Sequence, residues 1–472
     1  MRRFWYRNFR AVSGLQYRLG RRLTPAGQLV AAGMVAAVIV GINMRLTVSY
    51  QALTFFAALL AVAGILSLRP PPRLDLRRRL PRFVTAGEPA SYAVTVRNPG
   101  IRVARDLALM EEFPDPRPSF EEFSTTPEPQ EARRNRFDRA LKYFRWTWLI
   151  AQRRRVTVAE QPLPALAPGG QAEVRLMLTP LRRGRVTFTA TAVARRDPLG
   201  LVRALRRQRA LDTLLVLPKR YPLPAIALPG ARRYQPGGVS LASSVGDSEE
   251  FVALRDYRPG DPLKRIHWRS WARTGRPVVR EHHDEFFVRH GLVLDTFVDA
   301  PTPAFEEAVS VAASFACTIG TQESLLDLLF VGAEAYCVTA GRGVGHVDRL
   351  LEILAAVRPC RDGGFATLTR LVLQRESVLS GAICVLVAWD EARRDLVARL
   401  RALGVPTLVL VVTDGDPDGD EGRPERRHEG RHGSAGAPRT AGGVWGAMSG
   451  PPILEDVHHL RAGHIAEGLA AL

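Results

Sequence analysis

Residues 246–285 read GDSEEFVALRDYRPGDPLKRIHWRSWARTGRPVVREHHDE, a stretch that local rules divide into short elements. Phe251, Leu254 and Tyr257 recur every third residue, which predicts a helical turn laid on a core. Pro259-Gly260 supplies a turn, and Asp261-Pro262 reads as an N-cap followed by proline at the first helical position. Leu263 and Ile266 then share the buried face of a short helix. Gly275 can end the next turn, and Pro277-Val278-Val279 predicts the start of a strand.

The same stretch carries a high density of both charges, with Arg255, Arg265 and Arg273 close in sequence to Glu250, Asp256 and Asp261. One reading is an ion-pair network in which bidentate arginines fix a compact surface. The other is a site for an anion or a partner protein, with a tryptophan as anchor. A division of labour is expected: Arg255, Tyr257, Gly260, Asp261, Trp268 and Arg273 hold the structure, and Arg269, Trp271 and Arg276 meet a partner.

Downstream, strand-like runs alternate with helical ones. His290–Thr296, Leu328–Val338, Ala382–Trp389 and Pro406–Val412 read as strands; Phe305–Ile319, Val347–Val357, Glu391–Leu403 and Leu454–Leu472 read as helices. Alternation of this kind predicts a mostly parallel sheet covered on both faces, over residues 286–472. Residues 413–452, rich in Gly, Asp, Arg and Pro, read as a disordered loop. Gly341-Arg342-Gly343-Val344-Gly345 has G-x-G-x-G spacing and reads as a strand-to-helix turn. His282 and His283, adjacent on a strand, would face opposite sides and form no metal pair.

Upstream, over residues 83–217, apolar residues alternate: Tyr92, Val94, Val96; Val174, Leu176, Leu178; Val186, Phe188, Ala190. Period two with turns at Asn98-Pro99-Gly100, Pro168-Gly169-Gly170 and Arg183-Gly184 predicts an immunoglobulin-like β-sandwich. One stretch breaks the pattern. Residues 111–131 are acidic and proline-rich, and residues 133–155 are basic, with Tyr143, Phe144, Trp146 and Trp148 interleaved. Three uses suit the aromatics: packing on the sandwich as a decorated hairpin, lying against lipid headgroups, or stacking on single-stranded nucleic acid.

Nearer the start, 22 uncharged residues separate Arg22 from Arg45 and 23 separate Arg45 from Arg69. Each run suffices for a helix across a bilayer, so residues 23–68 predict a hairpin of two transmembrane helices. Thirteen arginines flank the hairpin, seven in the basic segment 1–22 and six between Arg69 and Arg82, against Arg45 alone between the spans. The positive-inside rule then places both ends, and the soluble domains, in the cytoplasm. A secretory signal would not explain the second run.

The 472 residues exceed what one core usually serves, and the net charge of +19 is largely arginine. Clusters beside apolar runs suit anionic lipid, which makes nucleic acid an unlikely partner. Cys317, Cys337, Cys360 and Cys384 show no metal spacing and read as reduced, buried thiols.

The pattern F-x-x-L-R-x-Y-x-P-G-D-x-x-x-x-I-x-W-x-x-x-A-R-T-G, unbroken from Phe251 to Gly275, resembles the signature of the domain-of-unknown-function 58 family. The two apolar runs, the β-rich region, Asp197-Pro198-Leu199-Gly200 and the following α/β region agree with it. His267 and Trp271 depart from the residues common there. The resemblance implies a von Willebrand factor A-like C-terminal domain and a MoxR-type AAA+ ATPase as protein partner. It also implies an ion site. Asp295 matches the first carboxylate of that fold's D-x-S-x-S loop, while Phe297 and Asp299 replace its serines; Asp390, and Thr367 or Thr369, stand as the distal candidates. Such oxygen ligands would suit Mg²⁺ or Ca²⁺. The leading expectation is therefore a membrane-anchored scaffold or adaptor without a cofactor, acting in protein assembly or maturation. A metal-dependent enzyme and a nucleic-acid-binding protein are the alternatives. No nucleophile–base set is legible.

Overall fold

The computed structural model describes residues 2–41, 47–129, 131, 134–224, 251–259, 266–282, 288–321, 324–340, 344–361, 364–415 and 457–472. The chain is a multidomain, mixed α/β protein that divides into two compact units, Met1–Lys219 and Arg220–Leu472. Gly260 and Asp261, with the expected N-cap, fall outside the described residues. So do most of the loop expected to be disordered and the first residues of the G-x-G-x-G run.

The first unit opens with three helices, α1 (Arg2–Arg22), α2 (Pro25–Gly41) and α3 (Thr47–Leu66). In α3 the segment Val48–Leu66 is long and apolar enough to cross a membrane. Helix α2 is apolar but has 17 residues, or roughly 26 Å at 1.5 Å per residue. That is shorter than a typical hydrocarbon core. Two spanning helices were expected; among the described residues one meets the length.

Nine strands follow: β1 (Asp75–Arg79), β2 (Phe83–Thr85), β3 (Ala90–Arg97), β4 (Leu107–Glu112), β5 (Val156–Val158), β6 (Gln161–Pro162), β7 (Gln171–Pro180), β8 (Gly184–Arg196) and β9 (Arg203–Leu217). They form a four-stranded sheet, β1-β3-β7-β5, and a five-stranded sheet, β2-β9-β8-β4-β6. The alternating residues do what period two demands. Val94, Leu176 and Leu178 from one sheet and Leu109, Phe188 and Leu214 from the other share one apolar cluster. Arg78, counted among the arginines flanking the anchor, belongs to this interior instead. Its Nη2 donates to Glu111 Oε2 at 2.6 Å, and its guanidinium lies over the Phe188 ring.

The two stretches form helices rather than a hairpin: α4 (Phe120–Thr125), capped by Ser119, in the acidic one, then α5 (Arg136–Leu141) and α6 (Tyr143–Arg153) in the aromatic and basic one. Trp146 is buried with Phe123 and Leu149, and the rings of Tyr6 and Phe9 of α1 pack against them. Burial also removes Trp146 from any role in stacking on bases. Arg145, itself buried, donates to both Glu131 oxygens and to the Phe123 carbonyl, which fastens α4 to α6.

The turn Asp197-Pro198-Leu199-Gly200 meets the start of α2. Buried Asp197 accepts from the backbone N–H groups of Leu199 and Leu201 at 2.8 Å each, holding the turn. Thr24 N–H then donates to the Leu201 carbonyl at 3.0 Å, and Leu201 and Val202 pack with Ala63, Val30 and Leu59. The apolar helices are thereby pinned to the β8–β9 turn.

The second unit contains β10 (Phe251–Asp256), α7 (Trp268–Thr274), β11 (Val278–His282), β12 (Val288–Leu294), α8 (Pro303–Thr321), β13 (Ser324–Val331), β14 (Ala335–Ala340), α9 (Val344–Ala356), α10 (Ala366–Leu373), β15 (Gly381–Leu386), α11 (Glu391–Ala402), β16 (Thr407–Thr413), β17 (Val457–Arg461) and α12 (Ile465–Ala470). Six strands make a sheet of order β14-β13-β12-β15-β16-β17, parallel except for β14. All six residues of β15 are buried, as a central parallel strand requires. Three expectations are corrected. Phe251–Asp256 is a strand, not a helical turn; Leu328–Val338 is a hairpin turning at residues 332–334; Leu454–Leu472 yields a strand and a short helix separated at Gly463.

Candidate functional site

The six-stranded sheet reverses direction of growth at β12. From there the chain passes through α8 to β13 on one side, and later crosses to β15 on the other. Open α/β sheets bind ligands at such a switch point, outside the carboxyl ends of the strands. Asp295 stands there, one residue beyond β12. Its N–H donates to the Val385 carbonyl of β15 at 2.9 Å, so its backbone continues the parallel ladder.

Asp295 is fully buried, and both oxygens of its carboxylate accept from protein donors. Oδ1 accepts from Phe297 N–H at 3.0 Å. Oδ2 accepts from Val387 N–H at 3.2 Å and from Arg393 Nε at 2.6 Å. Arg393 reaches it from the first turn of α11. That helix is capped by Asp390, whose Oδ1 accepts from Arg393 N–H at 3.1 Å. Arg393 Nη1 also donates to Asp390 Oδ2, and the guanidinium lies 4.8 Å from the centroid of the Phe365 ring. Burial alone would lower the pKa of Arg393. Its hydrogen bond and attraction to Asp295, with the charge of Asp390, outweigh that and raise it.

The two principal carboxylates expected to hold a metal are thus brought together, with a guanidinium between them. Asp299 is exposed and engages Arg361 through its backbone carbonyl. Thr367 lies half-buried in the first turn of α10, its N–H bonded to the Gly364 carbonyl. Among the described residues, neither side chain joins Asp295 by a hydrogen bond. Phe297 packs edge-on against Phe365 instead of offering an oxygen. A divalent cation held by both carboxylates would have to displace the buried guanidinium that joins them, and Phe297 offers no oxygen, so these residues do not fit Mg²⁺ or Ca²⁺. The feature sequence reading missed is Arg393. A cation in a helix's first turn opposes the helix dipole and calls for an acidic partner, which the spacing Asp390-x-x-Arg393 supplies.

The signature segment is built differently from its sequence expectation. Strands β10 and β11 pair antiparallel, with Arg255 opposite Val279 and Asp256 opposite Val278. Tyr257 N–H donates to the Pro277 carbonyl, and Ile266, buried, bridges to Val279. Gly275 ends α7 in the left-handed region at φ 67°, as its position predicts. Trp268 was expected to hold the fold, but it is 63% exposed and stacks on Trp271 with ring centroids 5.2 Å apart. Arg269, Arg273 and Arg276 are exposed beside it. The side chain of Arg255 lies outside what is described.

Solved structures similar to parts of the chain include the CARDB domain of a Pyrococcus furiosus protein. It is 13% identical, covers 31% of this chain and 97% of that one, and has a TM-score of 0.16. An ASH/PapD-like domain of a human protein is 10% identical, covers 32% and 88%, and has a TM-score of 0.17. At these scores neither bears on fold or function. A curated relative, the uncharacterized protein YeaD of Bacillus subtilis (strain 168), is 29% identical over 177 residues, 37% of this chain. The chain spans 42% of that relative's length. Residues 253–421 match the family described as protein of unknown function DUF58, a span holding most of the signature, the switch-point aspartate and α11. Over those residues the chain is similar to the DUF58 family.

Proposed function

We propose that this chain is a membrane-anchored, cytoplasmic scaffold or adaptor that works by surface contact with a protein partner. The observation that carries the reading is exposed Trp268, stacked on half-buried Trp271 beside exposed Arg269 and Arg276, inside the family-matched segment. Tryptophan and arginine are the residues most enriched at binding hot spots. Resemblance to the family supports a MoxR-type AAA+ ATPase as that partner and assembly or maturation of other proteins as the task. The fold reading that accompanies it is a two-helix anchor, an immunoglobulin-like sandwich and a von Willebrand factor A-like domain. In favour of the last is the sheet order with its single antiparallel edge strand. The flanking arginines support the cytoplasmic orientation.

Co-purification of the full chain in detergent with a co-expressed MoxR-type ATPase tests this. Trp268→Ala and Arg269→Ala are expected to weaken retention by roughly 30-fold, the size of a hot-spot loss of about 2 kcal/mol, with unchanged melting. Full retention by both variants contradicts the reading.

A further inference from the structure

Helix α1 carries a feature that the proposed partner surface does not use. One of its faces is occupied by the protein: Tyr6 and Phe9 pack on Phe123 and Trp146, and Arg21 pairs with Glu112 at 2.7 Å. Another face is apolar and uncovered. Phe4, Val12, Leu15 and Leu19 are 64%, 49%, 56% and 45% exposed, and they fall on one stripe of a 3.6-residue helix. Exposed Arg7, Arg18 and Arg22 line one edge of that stripe, and α1 contains no acidic residue. Two residues separate its end from the apolar helix α2.

We infer that α1 lies in the interface of an anionic lipid bilayer. Its apolar stripe would enter the headgroup–acyl boundary and its arginines would meet lipid phosphates. Two observations favour lipid as the occupant. Only Leu23-Thr24, seated on the β8–β9 turn, separate α1 from α2 and the hairpin that includes α3, which holds α1 next to the membrane-length segment. The edge charge is of one sign, which complements an anionic leaflet. The acidic helix α4 and the aromatic, basic helix α6 then act as a clamp. They grip the face of α1 that carries Tyr6 and Phe9, and Arg117 Nη1 donates to the Arg10 carbonyl at 3.2 Å. A clamped α1 would fix the orientation of the β unit over the bilayer.

This inference rests on the membrane-anchored reading, and the test separates the two. The full chain is reconstituted in vesicles of phosphatidylcholine, with or without phosphatidylglycerol. A photo-crosslinking p-benzoylphenylalanine replaces Leu15, Ser13 or Val62 in turn. Lipid adducts at Leu15 but not at Ser13, which is half-buried on the clamped side, are expected. The Leu15 yield should be higher with phosphatidylglycerol and fall several-fold in the Arg7→Gln, Arg18→Gln, Arg22→Gln triple variant. Lipid adducts at Val62 of α3 without any at Leu15 overturn the inference and leave the anchor standing. Absence of adducts at Val62 counts against the anchor itself, and Leu15 adducts then still support α1 as a surface helix. A Leu15 yield indifferent to lipid charge and to the triple variant removes the role given to the arginines.

Discussion

Arg393 Nε donates to Asp295 Oδ2 across 2.6 Å, joining the end of the central parallel strand β12 to the first turn of α11. Asp295 is 0% and Arg393 6% exposed, so water cannot replace either partner. Removing one strands the other. Arg393→Ala is therefore expected to cost about 3–5 kcal/mol in unfolding free energy. Arg393→Lys keeps the charge but lacks the planar fork that spans both carboxylates, and should fall between the two. Denaturant titration of the full chain in detergent measures it. A loss below about 1 kcal/mol, the range of an exposed pair, contradicts the buried arrangement.

Gly27 of α2 faces the Leu201 carbonyl so closely that a Cβ would lie 2.0 Å from that oxygen. Gly27→Ala must move the helix off the turn, which should destabilise the first unit by about 1–3 kcal/mol. Gly64→Ala in α3 serves as the comparison, because its Cβ would meet nothing within 4 Å. Equal melting temperatures for the two variants would show that the Asp197–Gly200 turn does not seat the helix as described.

His290, 3% exposed in β12, has its imidazole pKa pushed below the ordinary histidine range by burial. The unfolded chain then binds that proton more readily than the folded one. The contribution is complete above about pH 6.5 and is lost as the pH falls below that value toward the lowered folded pKa. Melting temperatures across that window should drop less in His290→Leu than in the native chain. An identical pH dependence in both would mean that this histidine is not the group responsible.

Cys384, fully buried in β15, has its thiol pKa pushed up to about 12 by burial. None of the four cysteines forms a disulfide. Because the thiolate is the reactive form, Cys384 should resist alkylation at neutral pH in the folded chain and react on unfolding. Peptide mapping after brief iodoacetamide treatment reads this directly, and labelling of Cys384 in the folded protein would contradict the placement of β15.

Much of the fold was legible where one physical signal dominated. Tyr92, Val94 and Val96 alternate because β3 has one face in the core, and that pattern survives without knowledge of its partner strands. The α/β alternation after residue 286 was legible for the same reason. Phe251, Leu254 and Tyr257 misled because period three, over so few residues, also fits a twisted strand with a register shift between Phe251 and Ala253. The hairpin at residues 332–334 was hidden inside one apolar run, since both its strands are apolar. Asp295 and Asp390 were legible as carboxylates near a switch point. Their bond to a common guanidinium was not, because the Asp295–Arg393 pairing spans 98 positions and is made only by the packing of α11 on the sheet.

The proposed surface role of the α/β unit requires that Arg393, and not an ion, occupy the Asp295 carboxylate. Calorimetric titration of Mg²⁺ and of Ca²⁺ into the full chain in detergent tests that claim. The geometry predicts no saturable binding that depends on Asp295, because Arg393 and two backbone amides already engage its oxygens. Micromolar binding that disappears in Asp295→Ala would contradict it.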